Sequence, residues 1–471
     1  MFLISALLIP SPASYSAEIE VPELGDTSSS VISREEEYEL GQKILKLYRS
    51  QVPTSSDPII YSYLENLITE LAAYSELDNK SFDLIVIETP VLNAFAAPGR
   101  VVGVNTGAFL KVESEDQLAS ILTHELAHLS QRHIARQRIA QKNATIPTMA
   151  GLLAGIVLAA AGGGDAGIAA ISATQALALD NQLRYSRSFE QEADRAGIQN
   201  LVKAGRNPEA AAEMFEVMLK QYRYTRRPPE FLSTHPVTES RIADARSRAM
   251  QYPAKEYADN LDFHLVSARV RLHYETTPQQ AVKRFQSEID GQSLSQEASR
   301  YGLTLALIAT GETTKARKEL DILLQQRPEK TIYLLAAAQL DAKEKNYTTA
   351  INSLENLLKY YPNNYAINIQ LAEILMEAGE YRAGEILLNR LVRLKPKSDY
   401  AWYLLAETNG LVGNILAVHL SRAEYFILTG IYDRAELQLQ NALRLTKDTR
   451  QVALIEQRLI DIRALQKDSD F

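Results

Sequence analysis

His124 and His128 lie four residues apart, with Glu125 directly after the first, and no denser group of chemistry-bearing residues occurs in the chain. On a helix, residues at this spacing project from one face, so the two imidazoles can chelate a single metal ion. Glu125 sits about 100° further round that helix, beside the metal rather than on it. A carboxylate placed there can take the proton of an attacking water and later pass it to a leaving amine. His124-Glu125-Leu126-Ala127-His128 is therefore an H-E-x-x-H pattern, whose chemistry is zinc-dependent hydrolysis of peptide bonds. The chain holds only seven histidines, and at that frequency chance yields the pattern in roughly one chain in a hundred or fewer.

A zinc site of this kind needs a third protein ligand and an open position. Cysteine is absent from the chain, and no histidine follows at the short spacing of the metzincins. The segment Ser188-Phe189-Glu190-Gln191-Glu192-Ala193-Asp194 offers two carboxylates four apart on one helical face, Glu190 and Asp194. Glu190 is the candidate ligand, and Asp194 can hydrogen-bond a ligand histidine from behind. Glu192 lies about 200° from Glu190 and is the poorer choice. His133, nine residues after His124, is expected to face the far side of the same helix as a solvent or packing residue.

These residues need elements to hold them. The pattern predicts helices over about 34–49, 58–74, 114–141, 186–204, 208–224 and 237–250, with Ser114 and Gln117 as a capping box. Strands are expected over 82–87 and 100–105. The second is expected to form an edge beside the active site, where an extended substrate adds as a further strand through its main chain. Asn93, Val101, Val102 and Gly103 are the substrate-binding candidates on this reading. The uncharged, glycine-rich stretch 146–164 reads as a helical hairpin over the site, with at most peripheral membrane contact.

The remainder of the chain is periodic. Pro328, Pro362 and Pro396 recur every 34 residues, as do Ala338, Ala372 and Ala406. Tyr347 and Tyr381 share the interval with Ala316, Ala350 and Gly384. Small residues where paired helices meet, with a closing proline, are the mark of tetratricopeptide (TPR) repeats. Tyr432 and Ala435 resume the pattern 51 residues after Tyr381 and Gly384, so an extra helix is expected near 399–413. Tyr274 and Ala281 suggest a degenerate first repeat. Such a solenoid usually binds a peptide or partner on its concave face.

The bulk properties agree with a secreted, globular chain. A net charge of −8 argues against a nucleic-acid partner. Zero cysteines suit a bacterial envelope. Apolar residues 2–9 and the small residues up to Ala17 read as a signal sequence without a basic start. The expected division is a signal peptide over 1–17, a disordered lead-in over 18–33, a peptidase domain over 34–255 and a TPR solenoid over 256–471. The expected fold class is mainly α: a zincin-like domain of helices with a small β-sheet, followed by the α-helical solenoid.

The H-E-x-x-H helix, the Glu190-x-x-x-Asp194 pair some sixty residues later, and Asn93-Ala94-Phe95-Ala96-Ala97-Pro98-Gly99 ahead of a strand resemble the gluzincin peptidases that include HtpX and the type I CAAX prenyl protease. With its signal sequence and TPR tail, the whole chain is similar to periplasmic members of that family. The resemblance implies one zinc ion per chain and clients among unfolded or misassembled outer-membrane β-barrel proteins. It also implies docking of the TPR region on the β-barrel assembly machinery. A rival expectation is a mostly latent protease that acts as a binding and assembly factor. The resemblance adds His235-Pro236 with Arg241. His235 is implied to lie near the zinc, either stabilising the oxyanion or serving as a fourth ligand that holds the enzyme latent. Arg241 is implied to stabilise charge or orient acidic neighbours.

Overall fold

The computed structural model of the chain describes residues 32–140, 187–222, 231, 234–291 and 293–467. The expected signal peptide, the hairpin at 146–164 and most of the lead-in lie outside these residues.

Local chemistry sets the first elements. Helix α1 (Arg34–Gln51) starts at Ser33, whose hydroxyl accepts from the Glu36 N–H while the Glu36 carboxylate accepts from the Ser33 N–H. Helix α2 (Pro58–Ala73) begins with Asp57 as N-cap and proline in its first turn. A three-stranded sheet follows: β1 (Asp83–Ile87), β2 (Ala94–Ala97) and β3 (Val101–Asn105), in the order β1-β3-β2. β1 runs parallel to β3, with Ile85 opposite Gly103. β2 is antiparallel to it, with Ala96 opposite Val102. The β2–β3 turn places both Gly99 and Arg100 at positive φ, 71° and 64°.

The sheet order corrects one expectation. The strand that carries Val101, Val102 and Gly103 is the central strand, buried along its length and paired on both sides. The short β2, a strand the sequence did not predict, forms one edge of the sheet. Its register leaves the main-chain groups of Ala94 and Ala96 pointing away from β3.

Helix α3 (Glu115–Ser130) runs through the middle of the domain, and every residue from Gln117 to His128 is buried. Ser114 accepts from the Gln117 N–H, but the Gln117 side chain accepts from the Glu113 N–H instead of closing a capping box. The expected single helix over 114–141 is two. It breaks at Gln131–Arg132, and α4 (His133–Ala140) starts in a new direction. Helices α5 (Arg187–Lys203) and α6 (Ala210–Tyr222) pack on α3, and α7 (Glu239–Ala249) packs on both of them.

Twelve helices follow among the described residues: α8 (Leu261–Tyr274), α9 (Pro278–Asp290), α10 (Gln296–Thr310), α11 (Thr313–Gln326), α12 (Thr331–Lys343), α13 (Tyr347–Tyr360), α14 (Tyr365–Glu377), α15 (Tyr381–Leu394), α16 (Asp399–Val412), α17 (Ile415–Leu428), α18 (Tyr432–Leu445) and α19 (Thr449–Lys467). The periodic alanines, Ala316, Ala338, Ala350 and Ala372, are fully buried between paired helices. α16 occupies the place of the expected extra helix. α17 then packs on both α16 and α18, so it closes one pair and opens the next. Helix α8 belongs to two cores: Phe263, Val266 and Val270 join the peptidase core, while Leu265 and Ala268 join the first solenoid cluster. Among the described residues, no helix is long and apolar enough to cross a membrane.

Candidate active site

Three helices and one turn converge on a single buried cluster. α3 supplies His124, Glu125 and His128, α5 supplies Glu190 and Asp194, and the turn before α7 supplies His235. α7 itself supplies Arg241. Of these seven side chains none is more than 6 % exposed. A close approach of backbones makes this possible. Gly197 on α5 leaves so little room that a Cβ there would lie 3.1 Å from the His124 nitrogen.

The donor atoms are spaced as ligands. His124 Nε2 lies 3.1 Å from His128 Nε2 and 3.6 Å from Glu190 Oε2. His128 Nε2 lies 3.5 Å from Glu190 Oε1. His235 Nδ1 completes the set, 3.4 Å from His124 Nε2 and 3.0 Å from Glu190 Oε1. A tetrahedral zinc with bonds near 2.1 Å has ligand–ligand edges of roughly 3.4 Å. Four nitrogen and oxygen donors of the right type, all within 4.8 Å of one another, could thus hold one such ion after small adjustments of the side chains. Charge agrees in sign, because the buried carboxylates Glu190 and Asp194, both held below the usual carboxylate range, outweigh one buried guanidinium even before Glu125 ionises. A divalent cation among the donors offsets that excess.

Each first residue is held by a second. Asp194 Oδ1 lies 2.9 Å from His124 Nδ1, which favours the tautomer with Nε2 free to ligate. Arg241 grips Asp194 in a bidentate pair at 2.7 and 2.7 Å, reaches Glu190 Oε2 at 2.8 Å and donates to the Pro236 carbonyl at 2.8 Å. Its guanidinium lies over the Phe215 ring. Phe231 stacks on His235. Glu125 Oε2 accepts from the Ala96 N–H at 2.9 Å, so the candidate base is tied to the edge strand. Its other oxygen lies 3.4 Å from His235 Nε2.

Burial dominates the electrostatics. It pushes the Glu125 carboxyl up to about 8, with Glu190 adding to the rise and His124 opposing it. Burial also holds His128 well below the ordinary histidine range, and the surrounding imidazoles reinforce the shift. At neutral pH its lone pair is therefore free for a metal. Burial alone would raise Asp194, but hydrogen bonds to His124 and Arg241 bring it down to about 2. Glu190 is likewise lowered, against burial, by His235, His124 and Arg241.

The structure thus brings together Glu125, His124, His128, Glu190, Asp194, His235 and Arg241. Asn93 is buried just before β2, its carbonyl accepting from the Asn105 N–H. Val101, Val102 and Gly103 do not line the site. They are interior to the sheet, and the Phe95 ring fills the space beside Gly103. Another expectation fails at His133, which is fully buried with Nδ1 2.8 Å from His128 Nδ1. The break after α3 turns it back toward the site. Glu192, set aside in the sequence, faces this histidine at 3.5 Å. No glycine or proline marks the break, so the sequence carried no signal for either residue.

The pattern of peptidase family M48 matches residues 60–249, and a tetratricopeptide-repeat pattern matches residues 342–408. The chain is 34 % identical to a putative beta-barrel assembly-enhancing protease of Vibrio cholerae over 88 % of its own length and 86 % of that protein. It is 32 % identical to the beta-barrel assembly-enhancing protease of Escherichia coli K12 over 99 % of its length and 96 % of that protein. A protease HtpX homologue of Methylibium petroleiphilum is 31 % identical over 42 % of the chain and 78 % of that protein.

Proposed function

The chain belongs to peptidase family M48 and is a metallopeptidase with an attached TPR region, and from that premise we propose that it is a zinc-dependent endopeptidase of the Gram-negative periplasm. Its clients on this reading are misassembled outer-membrane β-barrel proteins, which it degrades or helps to assemble, as the names of its full-length relatives suggest. One observation carries the proposal: four buried donors converge within 4.8 Å of one another, with the Glu125 carboxyl beside them.

In this reading His124, His128 and Glu190 hold the zinc, and Asp194 orients His124. When bound, the metal supplies Lewis acidity that polarises the scissile carbonyl and eases deprotonation of the attacking water. Glu125 takes the water's proton and delivers it to the leaving amine. Its hydrogen bond to the Ala96 N–H fixes where that proton is held. The outward main-chain groups of β2 that the Glu125 bond leaves over, those of Ala94 and the Ala96 carbonyl, align an extended substrate, which favours unfolded chain over particular sequences. Arg241 keeps the carboxylates of α5 in place. The TPR helices recruit the assembly machinery or its clients.

The position of His235 favours a second reading of the same site, in which this conformation is latent. Its Nδ1 takes the fourth corner of the donor set, whereas a catalytic site needs that corner open. His235 must then withdraw before a substrate carbonyl can enter.

Glu125→Gln tests the first reading. The variant should keep its zinc and lose cleavage of an unfolded barrel protein by roughly 10²–10⁴-fold. Undiminished cleavage would remove Glu125 as the base. His235→Ala tests the second: activity should rise if the histidine is a latch. A fall would assign it instead to oxyanion stabilisation.

A further inference from the structure

We propose that His133 is a positioning residue for His128, and that Glu192, held by Arg136, fixes His133 in turn. The proposal rests on the metallopeptidase reading of the site. On an uninterrupted helix the fifth residue after His128 would lie about 140° away from it. Here α3 stops at Ser130, and Arg132 adopts a left-handed φ of 49°, a conformation disfavoured for any side chain with a Cβ. The bend is anchored from outside. Arg132 Nη2 donates to the Ile32 carbonyl at 2.8 Å, and Nε reaches Glu37 Oε1 at 3.3 Å. Strain held in place by such contacts commonly marks a functional constraint.

The bend delivers the His133 ring to His128. The two Nδ1 atoms lie 2.8 Å apart, and Phe189 stacks on the far face of His133 with centroids 4.6 Å apart. Two imidazole nitrogens at that distance share one proton. His128 Nε2 faces the other donor atoms, so its proton belongs on Nδ1 and is donated to His133 Nδ1. His133 then carries its own proton on Nε2, which lies within ion-pair reach of Glu192 Oε2 at 3.5 Å, a separation longer than an ordinary hydrogen bond. Arg136 donates to both Glu192 oxygens at 2.8 and 3.1 Å. Both ligand histidines are thus backed by carboxylates of α5. Asp194 supports His124 directly, and Glu192 supports His128 through His133. The relay fixes the tautomer and ring plane of His128 without placing a charge against it.

The test is competition between the full chain and a chromophoric chelator for zinc, at fixed pH, with folding checked by circular dichroism. His133→Leu should weaken zinc binding roughly 10–100-fold. His133→Gln keeps an oxygen that accepts from His128 Nδ1–H, and should return to within about threefold of the parent. Glu192→Ala changes a side chain at the outer end of the relay, and should lose affinity several-fold. Parental affinity in folded His133→Leu overturns the proposal, as does a His133→Gln variant as weak as His133→Leu. If neither His133 variant folds, parental affinity in Glu192→Ala overturns it. A parent chain that binds no zinc would sink the metallopeptidase reading itself, whereas a zinc-binding parent with an unaffected His133→Leu sinks only the relay.

Discussion

At the scale of single residues, Asp194 shows how one buried carboxylate serves both the site and stability. Its hydrogen bonds to His124 and Arg241 hold it at about 2, although burial alone would raise it. An aspartate in an unfolded chain titrates near 3.9. The folded value is the lower one, so the ionised form is what stabilises the fold. That contribution is complete above about pH 4 and drains away as pH falls through about 2. Asp194→Asn should therefore cost on the order of 2 kcal/mol at pH 6 in chelator-treated protein, and its stability should fall less steeply between about pH 4 and 2. Urea unfolding of both proteins across that range checks this, and parallel curves would contradict it. The residue scale was also where the sequence was most legible. His124 with His128, and Glu190 with Asp194, sit at the i, i+4 spacing that any regular helix turns into one face. His133 and Glu192 were hidden because their meeting depends on Arg132 leaving the helix, and arginine is not a residue whose type announces a left-handed turn.

At the scale of elements, the candidate base depends on where β2 lies, and β2 depends on α1. Gly41 of α1 packs so closely on the β2–β3 turn that a Cβ would overlap the Pro98 carbonyl oxygen, while Gly99 meets the backbone of Tyr38. Backbone against backbone leaves nothing flexible to yield. Gly41→Ala should destabilise the fold by about 1–3 kcal/mol. It should also shift the turn and thereby the Ala96 N–H that holds Glu125. Thermal unfolding would show the first effect, and a loss of kcat in folded protein the second. An unaltered Tm would mean that α1 moves freely on the turn. Helix α3 is buried all round and was legible from its Ser114 start and the His124–His128 spacing. The other longer elements followed from periodicity where, as in α5 and the repeat helices, one regular face is buried. The edge strand did not. Ala94-Phe95-Ala96-Ala97 is short and mostly alanine, with little strand preference of its own, and only its pairing with β3 makes it a strand. Assigning the edge to the valine-rich β3 was the natural error, since that composition marks a strand buried on both faces.

At the scale of the whole molecule, the solenoid is folded back on the peptidase domain. Helix α2 lies against α8 and α14, and Ile59 packs against three separate cores. Part of the solenoid's surface, on α8 and α14, is therefore covered by the chain's own helix α2, a fact that no 34-residue period encodes. A second contact closes the arrangement further along. Lys397 reaches both oxygens of Asp83 at 2.8 and 2.8 Å, Lys395 reaches Glu65 at 2.6 Å, and Arg49 donates to the carbonyls of Lys397 and Leu428. Tyr61 packs on Tyr365, and the Lys46 ammonium lies over Tyr432. Half-exposed ion pairs are each worth about 0–1 kcal/mol, so removing one should change little, whereas reversing a charge sets two carboxylates against each other. Lys397→Glu should weaken the docking by roughly 1 kcal/mol, seen as several-fold faster hydrogen exchange in α1 and in α16–α17 with no change in the other repeats. The exchanged pair Asp83→Lys with Lys397→Glu should restore protection, because a double reversal recovers an interaction that each single change breaks. Restoration would establish that charge positions the solenoid on the domain carrying the edge strand. Failure to restore it would place the docking energy in Ile59 and the tyrosine contact, where salt has no purchase and a partner would have to displace apolar surface to separate the two halves.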